Sequence, residues 1–263
     1  MLQIVYAVLA CGLFLVSGFC GLVLCQYLPE RHRDIHTVEF IRLAIGALVT
    51  FLAIVLGLLT ASSKQHFDNI SKSYRHMAAE IVLLDARLRE VGSATAPIRA
   101  ELRSYLASVV FSTWPDEPPP SGEYLRGLPA GQSESIQLSA LLGHVAQQIR
   151  DLVPATPAQA AALAAVTQRF AAFSEARWTV IETDHPTIPT AFYGLMLFWT
   201  SLMFVGFGLC APRNAVVAVT VLICAISLAS VIFVILELED SSAGLIAISS
   251  RPLRAVLADL DRE

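Results

Sequence analysis

The sequence predicts an all-α integral membrane protein: four transmembrane helices with a helical domain inserted between the second and the third. Three observations carry this expectation. Of 263 residues, 55% are hydrophobic and 15% charged, which is too apolar for an ordinary soluble domain. The excess is concentrated in four runs, each close to the 20 or so residues that cross a hydrocarbon core of about 30 Å. The long, more polar stretch between the second and third runs keeps helical spacing and has no period-two strand pattern.

The first run is Leu2–Leu24. No Lys or Arg precedes it and no small-x-small site closes it, so it reads as a span rather than a signal peptide. The second is Phe40–Ala61, completing a membrane block over residues 1–61. No helix breaker follows. Instead Phe67, Ile70, Tyr74, Met77, Ile81, Leu84, Leu88 and Val91 recur at alternating steps of three and four, a strict heptad seam. One helix from about Phe40 to Val91 would extend roughly 78 Å and end at Gly92, a suitable C-cap. The seam has more apolar positions than one returning helix needs, and is therefore read as the seam of a homo-oligomer.

The inserted segment, 62–188, continues through helices expected at Pro97–Phe111, Ser135–Leu152 and Pro157–Thr183, with Pro97 and Pro157 near the starts, where proline is tolerated. The last of these carries Leu163, Val166, Phe170, Phe173, Arg177 and Val180 at heptad spacing and can return along the seam. Residues 114–132, WPDEPPPSGEYLRGLPAGQ, are too rich in Pro and Gly for a helix and read as a loop. Pro189–Cys210 and Ala215–Leu236 form the second membrane block, 189–236. The remainder, 237–263, opens with an acidic turn and closes with a short helix started by Ser250–Arg251–Pro252, whose apolar face is Leu253, Val256, Leu257 and Leu260.

Four spans place both termini and residues 62–188 on one side. That side carries Lys64, Lys72, Arg75, Arg169, Arg177, Arg251 and Arg254, against Arg31, Arg33 and Arg213 on the other, so it is expected to be cytoplasmic. A net charge of −4 gives no sign of nucleic-acid binding. Cys11, Cys20, Cys25, Cys210 and Cys224 lack metal-type spacing and argue against a disulfide framework. The histidines form no HExxH motif and no ligand cluster, and no glycine-rich phosphate loop is present. No enzyme chemistry and no cofactor are expected.

Two features can carry function. In the second span Gly46, Thr50, Ala53, Gly57, Thr60 and Lys64 repeat every three or four positions, with Leu48, Phe51, Leu52, Val55, Leu58 and Leu59 assigned to the other side. Such a stripe serves either close helix packing or the lining of a pore whose apolar neck gates by dewetting. Glu237, Glu239 and Asp240 close the fourth span. A helix C-terminus carries partial negative charge, so these acids need a cation or a basic partner. Ion pairing with Lys64, Arg75, Arg251 or Arg254 is the preferred expectation. Calcium, held by hard carboxylate oxygens, is the alternative.

Several separated phrases resemble the bacterial bestrophin-like membrane proteins: YLPERHR (27–33), GLLTASSKQHFDN (57–69), IVLLDARLREVG (81–92), RAELRSYL (99–106), Trp114–Pro115, ARWTVIE (176–182), LMLFWTSLMFVGFGLCAPRNA (195–215) and ELEDSSAGLIAISSRPL (237–253). The family's usual phrase after the fourth span resembles Leu-Asp-x-Pro-Phe-x-Gly. Here Leu238, Glu239, Asp240, Ser241, Ser242, Ala243 and Gly244 keep the acid but lose Pro and Phe. The resemblance implies a bestrophin-like fold in a bacterial inner membrane, a pentamer of this chain, and small anions as the permeating species. The competing expectation is a non-conducting scaffold that docks partners through its cytoplasmic helices.

Overall fold

The structure, a computed structural model, describes residues 2–27, 35–128, 135–184, 188–212, 214–239 and 246–261. Arg31, Arg33, Arg213 and the segment Asp240–Gly244 of the expectations above lie outside the described residues. Among those described there is no strand. The helices are α1 (Leu2–Tyr27), α2 (Ile35–Val91), α3 (Ala96–Thr113), α4 (Ile136–Asp151), α5 (Pro157–Thr183), α6 (Thr190–Cys210), α7 (Ala215–Glu239) and α8 (Arg251–Leu260). Four of them, α1, α2, α6 and α7, are long and apolar enough to cross a membrane.

The single long second helix is as expected, though it begins at Ile35 rather than Phe40. It stops for local reasons. Gly92 takes φ 108°, a left-handed conformation that glycine adopts without a Cβ penalty. Thr95 Oγ1 then donates to the Leu88 carbonyl at 2.7 Å, satisfying an acceptor that the last helical turn would leave open. Ser135 and Thr156 cap α4 and α5, accepting from the N–H groups of Leu138 and Gln159. The fourth apolar helix runs on to Glu239, past the expected end at Leu236. Glu237 and Glu239 thus belong to its last turn and not to a turn after it. Leu and Glu are good helix formers, and nothing before residue 240 interrupts them.

The chain divides into two compact units: Met1–Gln65 with Pro186–Glu239, and His66–His185 with Asp240–Glu263. In the first, α1 packs along α6 and against α7. Phe14 and Phe204 stack with centroids 5.3 Å apart. Gly21 and Gly208 meet so closely that a Cβ on either would enter the other helix's backbone, at the carbonyls of Val205 and Gly18. Small residues of this kind are the standard contact chemistry between helices in lipid. Ile45 of α2 sits over Gly206 of α6, and Leu52 and Leu56 are buried.

The second unit is a helical bundle around α3. Tyr105, Leu106, Ala107, Ser108, Val109 and Val110 are consecutive and all buried, so α3 is covered on every side by its neighbours. Around it lie the second part of α2, α4, α5 and α8, sharing one apolar core. Tyr105 meets Phe173 of α5 edge-on at 6.0 Å. The buried Asp85 of α2 accepts from Arg89 Nε at 2.7 Å and from Arg99 Nε of α3 at 2.6 Å, giving the carboxylate two cations. Arg177, only 5% exposed, donates to the Tyr105 hydroxyl at 3.0 Å and to Ser139 Oγ at 2.8 Å. It therefore joins α5, α3 and α4. The expected loop is non-helical from Trp114 to Leu128.

Candidate functional site

The heptad seam of α2 lies inside the chain. Ile70, Tyr74, Met77, Ile81, Leu84 and Leu88 are at most 2% exposed, and Phe67 and Val91 are partly buried against the same core. Assigning this seam to contacts between copies is corrected: α3, α5 and the loop after α3 cover it. Trp114 lies 5.1 Å from the Tyr74 ring. Burial, reinforced by the charge of Asp184, pushes the Tyr74 hydroxyl well above the usual phenol range. Counting apolar positions on α2 could not reveal that several helices share the covering.

The small-residue stripe is placed differently. Gly46, Thr50, Ala53, Gly57 and Lys64 are exposed, and Thr60 is half-buried. A Cβ at Gly46 or Gly57 would meet nothing within 4 Å. The stripe does not serve close packing within the chain. The buried side of α2 is Leu52 and Leu56, flanked by the partly buried Ile45, Leu48 and Leu59. Phe51 and Leu58, assigned by sequence to that side, are exposed together with Phe40, Leu43 and Ile54. This region of α2 thus has three faces: one against α6 and α7, one broadly apolar, and one of small and weakly polar residues ending at Lys64.

The polarity of that last face is lower than its composition suggests. Thr50 Oγ1 donates to the Gly46 carbonyl at 3.0 Å, and Thr60 Oγ1 to the Leu56 carbonyl at 2.7 Å. Both hydroxyls turn back onto the preceding turn, leaving methyl groups as the wall between the glycines.

One acid of α7, Glu239, has a backbone partner that the sequence did not point to. Glu239 Oε2 accepts the backbone N–H of Ile188 at 3.3 Å, two residues before the start of α6. A carboxylate that is misplaced at the C-terminus of α7 is therefore well placed at the N-terminus of α6, where N–H groups are unsatisfied and the helix dipole favours negative charge. Glu237 is 1% exposed. Asp240 lies outside the described residues. Arg254 pairs with Glu117 at 2.9 Å and donates to the Pro118 carbonyl at 2.7 Å, while Arg75 Nε donates to its own helix at Ser71. Among the described residues no three His, Cys, Asp or Glu side chains come together as a metal site.

One arrangement was not anticipated. Trp114 Nε1 donates to the Ile248 carbonyl at 2.6 Å, and Glu117 accepts from both Ser250 Oγ and Arg254 Nε. Arg103 of α3 pairs with Asp261 at the end of α8 and also reaches the Ser121 carbonyl at 3.0 Å. The Trp-Pro phrase and the Ser-Ser-Arg-Pro-Leu phrase, far apart in the chain, thus form one clasp that holds α8 on the bundle. The signal was present in the sequence as two unexplained motifs with complementary charge.

A family model described as a bestrophin-like domain matches residues 12–253. The fold is similar to two crystal structures. One is a single-substitution variant of a membrane protein, at 16% identity and TM-score 0.61, the alignment covering 97% of this chain and 95% of that one. The other is a variant of a bacterial bestrophin homologue from Klebsiella pneumoniae, at 12% identity and TM-score 0.57, covering 97% and 99%. No curated protein sequence matches the chain.

Proposed function

The chain belongs to the bestrophin-like family, and from that premise we propose that it is a homo-oligomeric channel, pentameric by resemblance, conducting small anions along an axis lined by α2. In this reading α1, the apolar part of α2, α6 and α7 cross the inner membrane of a bacterium, with both termini and residues 62–188 in the cytoplasm.

The observation that carries the reading is the open face of α2. Thr50, Ala53 and Gly57 are exposed, and a Cβ at Gly46 or Gly57 would meet no atom within 4 Å, although two other faces of the same segment are apolar. Arranged around an axis, Thr50, Ala53, Gly57 and Thr60 would give successive rings over about 15 Å, narrow and weakly polar as a dewetting gate requires. Lys64 would add a positive ring at the end of the stripe, favouring anions over cations. A non-conducting scaffold would have to dock partners through other faces of the cytoplasmic helices, since the α2 seam is covered within the bundle.

Single-channel recording of the purified protein in planar bilayers tests this. Gly57→Leu should lower conductance severalfold by adding an apolar ring without removing charge. Thr50→Lys or Thr60→Lys should move the reversal potential in asymmetric chloride toward the chloride equilibrium value. Leu48→Ala and Val55→Ala, on the packed side, should lower stability more than current. Absence of current from every form, or equal effects on both faces, would leave the channel reading without support.

A further inference from the structure

At the Gly46 end of the small-residue stripe, and lined in part by Gly46 itself, α2, the end of α6 and the start of α7 form a crevice of about 580 Å³, within the roughly 300–1,000 Å³ range typical of ligand sites. Its walls are Ile45, Val49, Phe207, Val217 and Val221 with the thiols of Cys210 and Cys224. Thr220, the one hydroxyl, donates to the Val216 carbonyl of its own helix at 2.9 Å. Arg42 is the single charged side chain in the lining. Among the described residues no carboxylate lies within ion-pair distance of it.

These facts specify an occupant. A guanidinium at the border of hydrocarbon is costly unless an anion accompanies it, and its planar fork matches phosphate oxygens. From Arg42 to Val49 the wall runs about 10 Å along α2, shorter than one leaflet of a hydrocarbon core about 30 Å thick. The crevice is thus apolar along its length and cationic at its mouth, the reverse complement of an anionic lipid.

We propose that this crevice binds one acyl chain of an anionic phospholipid, with the lipid phosphate paired to Arg42. The site rests on the membrane placement of unit Met1–Gln65 with Pro186–Glu239 and is independent of conduction. It would make an anionic lipid a resident component of the wall beside the α2 stripe.

The two thiols in the lining serve as reporters. The full-length protein in mild detergent is titrated with phosphatidylglycerol, phosphatidylcholine or glycerol phosphate, and alkylation of Cys210 and Cys224 by N-ethylmaleimide is followed peptide by peptide. Phosphatidylglycerol should slow both thiols, phosphatidylcholine should need about tenfold more lipid for the same effect, the scale of one charge-assisted hydrogen bond, and glycerol phosphate should do nothing. Cys20, exposed on α1, should react alike throughout. Arg42→Gln should erase the preference for phosphatidylglycerol and Arg42→Lys should keep part of it. Thr220→Trp, filling the crevice, should slow the two thiols without lipid and remove any further effect of phosphatidylglycerol, which keeps the test informative even where Arg42→Gln fails to fold. Equal protection by both lipids, protection by glycerol phosphate alone, or lipid-independent protection that rises with protein concentration would overturn the proposal in favour of plain apolar cover, a free-anion site or a second copy of the chain, respectively.

Discussion

Along the single helix α2, Phe40, Leu43, Ile54 and Leu58 stand exposed, whereas Ile70, Ile81, Leu84 and Leu88 are completely buried. The same residue types point outward in one unit and inward in the other. In the bundle around α3, apolar side chains are gathered away from water and the surface is laced with pairs such as Arg87–Glu90 at 2.7 Å. In the unit of apolar helices that driving force is absent between helices, since lipid tails are as apolar as leucine, and close backbone approach replaces it. Burial measures stability in the first case. In the second, the absence of side chains at Gly21 and Gly208 does so.

The sharpest way to break this contrast is at the glycines. Gly208→Leu would drive a side chain into the backbone of α1, where nothing flexible can yield. A cost of about 3 kcal/mol or more is expected, seen as loss of the monodisperse folded protein by size-exclusion chromatography. Gly57→Ala, with open space around it, should leave folding intact and add about 0.5–1 kcal/mol of helix preference. Equal damage at both positions would show that the α2 stripe is packed after all.

The next effect belongs to the bundle. Leu102→Ala, at a fully buried position of α3, should cost about 2–5 kcal/mol. Leu58→Ala, on the exposed apolar face of α2, should stay within about 0.5 kcal/mol. Thermal unfolding of the two variants in the same detergent compares them directly. A large loss from Leu58→Ala would assign that face to protein contacts instead of lipid.

The smallest effect concerns the clasp on α8. The hydrogen bond from Arg103 holds the Asp261 carboxyl below the usual carboxylate range. A lowered folded-state pKa means that this contribution is present above the unfolded value of about 3.9 and is lost as pH falls through the folded one. The Asp261 side chain is 41% exposed, so solvent screening limits the pair to within about 1 kcal/mol. Hydrogen exchange across α8 should rise on acidification below about pH 4. Asp261→Asn should bring that faster exchange to neutral pH and flatten the acid response.

Much of the fold was legible because it depends on local periodicity. The run lengths of α1, α6 and α7, the unbroken course of α2, the stop at Gly92 and the apolar face of α8 each follow from residues within a few turns of one another. The small-residue stripe of the second span was legible for the same reason, but not whether it packs against a neighbouring helix or stays open in its own chain. The heptad seam was equally visible, but its partner was not, because periodicity identifies a buried face without saying whether the same chain or another covers it.

What the sequence alone determined is the class of protein, the helical segments and the residues with unusual surroundings: a stripe of small side chains, acids at a helix C-terminus, and isolated Trp-Pro and Arg-Pro phrases. Only the tertiary structure decided what each of these meets. It brought Glu239 to the start of α6, Glu117 to Arg254, and α3, α5 and Trp114 onto the seam, and it left no atom within 4 Å of where a Cβ would stand on Gly46 or Gly57. Charge and hydrophobicity fix what a side chain requires, whereas the partner that meets the requirement is set by which distant segments the packing of glycines and buried leucines brings within reach.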